Sequence, residues 1–137
     1  MKTIQLRCPL SVIVVALALI AIFAPVAQSE DRMLSHDVYF TLTDDSQEKC
    51  DDLIAGCKEF LTGHPGTVFF GAGVRVTELD RPVNDDEFDV ALHVVFKDKA
   101  SHDKYQEAER HYQFIEKFKS NWKKVRVFDA WTEGADE

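Results

Sequence analysis

The chain has 137 residues, enough for one domain and one core but not for two. Its formal net charge is −8, and all 24 acidic residues lie beyond Ser29. Its basic stretch, residues 117–126, is short and mixed with apolar side chains. This excludes a phosphate-backbone binder, so no nucleic-acid partner is expected.

Residues 1–29 stand apart from the rest. Lys2 and Arg7 precede an apolar run over residues 10–24, Pro25 closes it, and Ala27 and Ser29 are small residues just before Glu30. That is the layout of a secretory signal peptide. It predicts an exported product, periplasmic or extracellular, with no membrane association after cleavage. The competing reading is an uncleaved membrane anchor, for which the run falls short of the roughly 20 residues a span requires. A start at Met33 would instead give a cytoplasmic product. Cleavage leaves 14 basic against 24 acidic residues, a net charge of −10.

After a polar leader, residues 36–42 (HDVYFTL) read as a strand rich in β-branched and aromatic side chains. Asp44, Asp45 and Ser46 with Glu48 supply helix-start chemistry, and Cys50, Leu53, Ile54, Cys57 and Leu61 follow at helical spacing. Gly63 and Pro65 end that helix. Cys50 and Cys57 share its face but stand about 10 Å apart at 1.5 Å rise per residue. A disulfide needs less than about 7 Å, so they are expected as core thiols, with a bridge between chains as the alternative.

Residues 67–76 form a second expected strand, thinned by Gly71 and Gly73. Gly71-Ala72-Gly73 is no nucleotide fingerprint, because no third glycine follows in place and no helix opens from it. An acidic loop over residues 79–87 leads to a third strand, with Phe88, Val90, Leu92, Val94 and Phe96 on one face and Asp89, Ala91, His93 and Val95 on the other. Residues 101–120 read as one continuous helix, its buried side marked by Tyr105, Ala108, Tyr112, Ile115 and Phe118 or Lys119. Residues 125–131 are the last strand, and residues 133–137 are an acidic tail.

The order β-α-β-β-α-β is the split βαβ arrangement of a ferredoxin-like α+β fold. Its sheet carries the helices on one face. The other face is bare and holds Tyr39 or Phe40, Phe69 or Phe70, His93, Val95, and Phe128 or Trp131. An apolar face of that size predicts a partner, and the simplest is a second copy packed sheet against sheet about a two-fold axis.

Several features in order carry a family resemblance: His36 opening the first strand, Pro65-Gly66 after the first helix, and Phe88-Asp89-Val90-Ala91-Leu92 leading to Phe96. Tyr105 with His111 and Phe114, and Val127-Phe128-Asp129 at the close, complete the set. Over residues 34–132 the chain resembles the stress-responsive A/B barrel family, often called Dabb, whose members are dimeric α/β barrels. The resemblance implies a small pocket between helix and sheet. In a few similar proteins, polyketide cyclases, a Tyr and a His matching Tyr105 and His111 act there, with a strand histidine matching His36 nearby. The chain departs from the family where many members have a His-Pro break; here Ala108-Glu109 stand instead. Six residues along an unbroken helix would point Tyr105 and His111 about 120° apart.

His111 is the candidate general base and Tyr105 the candidate acid or orienting group, with His36, Tyr105 and His111 as ligand-contacting residues. His93 is expected on the bare sheet face as a paired interface histidine, and His64 and His102 as exposed residues. No metal is expected: the five histidines show no HxxxH or HxH pairing, and Glu107 with His111 is a weak helical pair. No cofactor is expected. The sequence therefore reads as an exported, non-enzymatic homodimer able to bind a small apolar ligand. The alternatives are a polyketide-cyclase-like lyase using the Tyr/His pair, a monooxygenase on the same dimeric fold, and a structural dimer whose interior Phe60, Phe114, Phe118 and Trp122 fill.

Overall fold

The computed structural model describes residues 32–134. The expected leader over residues 1–29 and the end of the acidic tail lie outside them.

The elements run β1 (Met33–Leu42), α1 (Gln47–Leu61), β2 (Thr67–Val74), β3 (Val90–Phe96), α2 (Lys99–Gln106), α3 (Glu109–Phe118) and, after a 3-10 turn over Lys119–Asn121, β4 (Trp122–Thr132). The four strands form one sheet in the order β2-β3-β1-β4, with every neighbouring pair antiparallel. This is the ferredoxin-like α+β fold. Among the described residues no helix is long and apolar enough to cross a membrane.

Register decides which face each side chain joins, because residues directly opposite in an antiparallel pair project to the same side. Val38 stands opposite Leu92 and Val127, and Phe40 opposite Val90 and Val125. Those residues face the helices. Val90, Leu92, Val94 and Phe96 are all buried there, against Leu53, Cys57 and Leu61 of α1. On the bare face stand Tyr39 and Arg126, Asp37 with His93 and Phe128, and Val95 with Phe69. The sequence alternatives thus resolve to Tyr39, Phe69 and Phe128 outward. Phe40 and Phe70 pack in the core, and Trp131 sits opposite Leu34 on the helix side.

One expected face assignment is reversed. Phe88 lies not with Val90 but against Tyr39, ring centroids 4.9 Å apart, on the bare face. The ladder begins only at Val90, so the two-residue alternation does not extend back to Phe88.

The helix layer has two chemically different ends. At one, Phe40, Phe114, Phe118 and Trp122 form an aromatic stack, with Phe114 in contact with the other three at centroid distances of 5.2 to 6.2 Å. Gly56 of α1 makes this possible: a Cβ there would meet the Phe118 ring at 2.2 Å. At the other end Tyr105 packs among three histidines and Phe96.

Cys50 and Cys57 are free and buried on α1. Burial pushes the Cys57 thiol up to about 12, which leaves it protonated and inert.

Candidate functional site

The expected continuous helix over residues 101–120 is two helices. α2 stops at Gln106, and Ala108 is extended at φ −70 and ψ 137 before α3 starts. Neither proline nor glycine stands at residues 107–109, so tertiary contacts hold the break rather than local propensity. Arg110 donates to the carbonyls of Thr62 at 3.1 Å and Glu59 at 2.5 Å, satisfying the end of α1. His64 donates from Nε2 to the Phe60 carbonyl at 2.9 Å. His111 donates from Nδ1 to the Gln106 carbonyl at 3.1 Å, closing the end of α2.

The break overturns the expected divergence of the reactive pair. The His111 and Tyr105 rings stand 4.8 Å apart, tilted at 47°. It also moves the buried side of the second half: Phe114 is buried, whereas Tyr112 is exposed. Glu107 and His111 no longer share a helix, so their expected helical pairing is lost.

Tyr105 is the centre of the cluster and is 1% exposed. Around it are His64 at 4.9 Å, Phe96 at 5.0 Å and His36 at 5.9 Å, ring to ring. His36 is buried, and its Nδ1 donates to Oδ1 of Asp129 across the β1–β4 register at 2.6 Å. His102 comes within 5.2 Å of the His36 ring. His64 and His102 were expected in solvent. Instead His64 is 8% exposed and His102 packs on Phe96 at 5.5 Å. Their convergence depends on contacts between segments far apart in the chain, which local spacing does not encode.

The electrostatics separate two roles. Burial raises the Tyr105 phenol well above its ordinary value, so it remains a hydrogen-bond donor. Burial lowers His111, the Gln106 bond opposes this, and the nearby His36, His64 and His102 push the same way as burial. His111 is therefore a neutral imidazole near pH 7. With Nδ1–H committed to Gln106, its Nε2 carries the basic lone pair.

A separate open cleft of about 780 Å³ lies on the bare sheet face, lined by Tyr39, Phe88, His93, Arg126 and the loop over residues 75–86. His93 is paired there, Nδ1 to Oδ1 of Asp37 at 2.6 Å, and Ser35 donates to the same carboxylate at 2.7 Å. Arg126 and Asp85 form a two-pronged ion pair at 2.6 and 2.9 Å that ties the loop to β4. None of the Tyr105 cluster lines this cleft.

No curated protein sequence matches the chain. Solved structures do. A Dabb family protein with a ferredoxin-like fold from Mesorhizobium loti is 21% identical, with a TM-score of 0.62 over 75% of this chain and 99% of that one. A hydroxynitrile lyase from Passiflora edulis is 17% identical, with a TM-score of 0.62 over 78% and 99%. A dimeric ferredoxin-like protein from Thermobifida fusca is 12% identical, with a TM-score of 0.62 over 75% and 93%. At these identities the likeness speaks for the fold alone. The model of the Stress Responsive A/B Barrel Domain matches residues 34–132, most of the chain. The chain belongs to the stress responsive A/B barrel (Dabb) domain family.

Proposed function

We propose that the protein is an acid–base enzyme of the lyase type, acting on a small carbonyl compound or its hydroxyl adduct. The observation that carries this reading is the facing pair: a neutral His111 whose Nδ1–H is held by Gln106, 4.8 Å ring to ring from a Tyr105 that stays protonated. His111 takes the substrate proton, and the Tyr105 hydroxyl hydrogen-bonds to the oxygen on which charge develops. His36, oriented by Asp129, supports the substrate's polar end. A protein of the same fold is described as a hydroxynitrile lyase.

The working unit in this reading is an exported homodimer. Phe69 and Phe128 are each more than half exposed on the bare sheet face, and similar structures are described as dimeric.

A second reading, a non-enzymatic dimer that holds a small ligand, is favoured by the close packing of Tyr105 against Phe96 and His64. A panel of aliphatic and aromatic cyanohydrins and β-polyketones separates the two. The enzyme reading expects turnover above buffer that drops about 100-fold or more in both His111→Gln and Tyr105→Phe. Saturable binding with no turnover in the wild type would select the second reading.

A further inference from the structure

At the edge of the Tyr105 cluster, one donor atom from each of His36, His102 and Asp129 lies within 4.8 Å of the others. The two imidazoles are arranged alike. His36 has the Asp129 carboxylate behind its Nδ1 at 2.6 Å, and His102 has the Asp103 carboxylate behind its Nδ1 at 3.4 Å. Each carboxylate accepts the hydrogen bond donated by Nδ1–H, the tautomer that leaves Nε2 with its lone pair. Both Nε2 atoms approach one and the same group: the side-chain amide nitrogen of Gln106, 3.4 Å from His36 and 3.1 Å from His102.

That amide stands between two convergent lone pairs, donating one hydrogen to each. It occupies the place a cation would take. A carboxylate behind each ligating imidazole is also the outer-shell arrangement that fixes tautomer and raises ligand basicity in metal sites. The side chains around the position are graded in exposure, 6% for His36, 15% for His102 and 49% for Asp129, which opens a path from solvent.

We propose that His36 and His102 bind a divalent transition-metal ion of the zinc class through Nε2. Gln106 turns to present its amide oxygen, Asp129 and Asp103 hold the rings, and water completes the coordination. Imidazole with oxygen donors suits zinc. A tetrahedral ion at about 2.0–2.1 Å from its ligands needs donors roughly 3.4 Å apart, so binding draws together donor atoms that here lie within 4.8 Å of one another. The inference goes beyond the acid–base reading, because it engages neither Tyr105 nor His111. Its consequence for that reading is regulatory: zinc occupies the Nε2 of His36.

The test is calorimetric titration of the chelator-treated full chain with zinc chloride, paralleled by visible absorption of the cobalt-loaded protein. The expected result is one zinc per chain at micromolar affinity. His102→Gln weakens it at least tenfold, and Asp129→Asn weakens it about 10–100-fold. His93→Gln, on the opposite sheet face, leaves it unchanged. Asp129 is a half-exposed edge-strand residue, so its variant reports even where His102→Gln disturbs α2. Absence of zinc binding and of a cobalt spectrum would overturn the proposal. So would a loss in His93→Gln equal to that in His102→Gln.

Discussion

The ring of His111 faces that of Tyr105 at 4.8 Å although the five intervening positions contain no helix breaker. Ala108 is held in an extended conformation, at ψ 137, by contacts that Arg110 and His111 make with the ends of two other helical segments. The convergence of the site is thus a tertiary property, imposed on residues that by themselves favour a continuous helix.

This gives a sharp test at Glu109. As the first residue of α3 it follows an extended residue, the conformation favoured before proline, and proline is well suited to a first helical position. Glu109→Pro is expected to stabilise the fold by about 0.4–1 kcal/mol through the unfolded state. In a continuous helix the same change would cost about 3 kcal/mol or more. Urea unfolding midpoints distinguish the signs.

The lowered His111 predicts a pH dependence. Its folded pKa lies below the ordinary 6.5, so between the two the unfolded chain binds more protons. The stability it contributes is present above about pH 6.5 and is lost as pH falls through the folded value. In His111→Gln the unfolding free energy is expected to lose part of that decline between pH 7 and pH 5, followed by denaturant titration at each pH.

Two turn glycines separate backbone conformation from space. Gly63 has φ +69 with nothing near a prospective Cβ, whereas Gly66 has φ +86 and a Cβ there would meet Ser101 Oγ at 2.1 Å. Gly63→Ala is expected to cost about 1 kcal/mol, the ordinary penalty of a left-handed position. Gly66→Ala is expected to cost clearly more, because α2 must shift as well. Thermal melts of the pair would refute this if the two costs were equal.

The thiols report on opening. With Cys57 fully buried and pushed up to about 12, alkylation by iodoacetamide near pH 8 is expected to proceed only through unfolding. Its rate should rise with urea in step with the loss of structure. Rapid labelling of the native protein at Cys57 would contradict the packing of α1.

For the bare face, Phe128→Asp places a charge beside Tyr39, whose ring lies 5.7 Å from that of Phe128. Sheet-to-sheet association predicts a shift from dimer to monomer by light scattering, with the secondary structure retained. A wild-type monomer at tens of micromolar would remove the dimer from the proposed function.

The strands and first helix were readable because their signals are local. Val90, Leu92, Val94 and Phe96 alternate, and Cys50, Leu53, Cys57 and Leu61 recur at helical spacing. The Tyr105–His111 partnership was legible only through family resemblance, since periodicity argued against it. His64 and His102 were missed: a histidine in a turn and one near a helix start look solvent-exposed until Tyr105 and Phe96 pack on them. The His36–Asp129 bond joins residues 93 positions apart through sheet register, which no spacing rule contains. Phe88 failed for the opposite reason, a local rule carried one step beyond its strand.

The His36–Asp129 bond also crosses the boundary of the molecule. One partner is sealed in the interior, while the other has half its side chain in water. The bond thus ties the solvent-facing edge strand directly to a side chain lodged under the helix layer. A change of charge at the surface carboxylate, by substitution or by a bound cation, is thereby transmitted to the Tyr105 cluster, whose central ring lies 5.9 Å from that of His36.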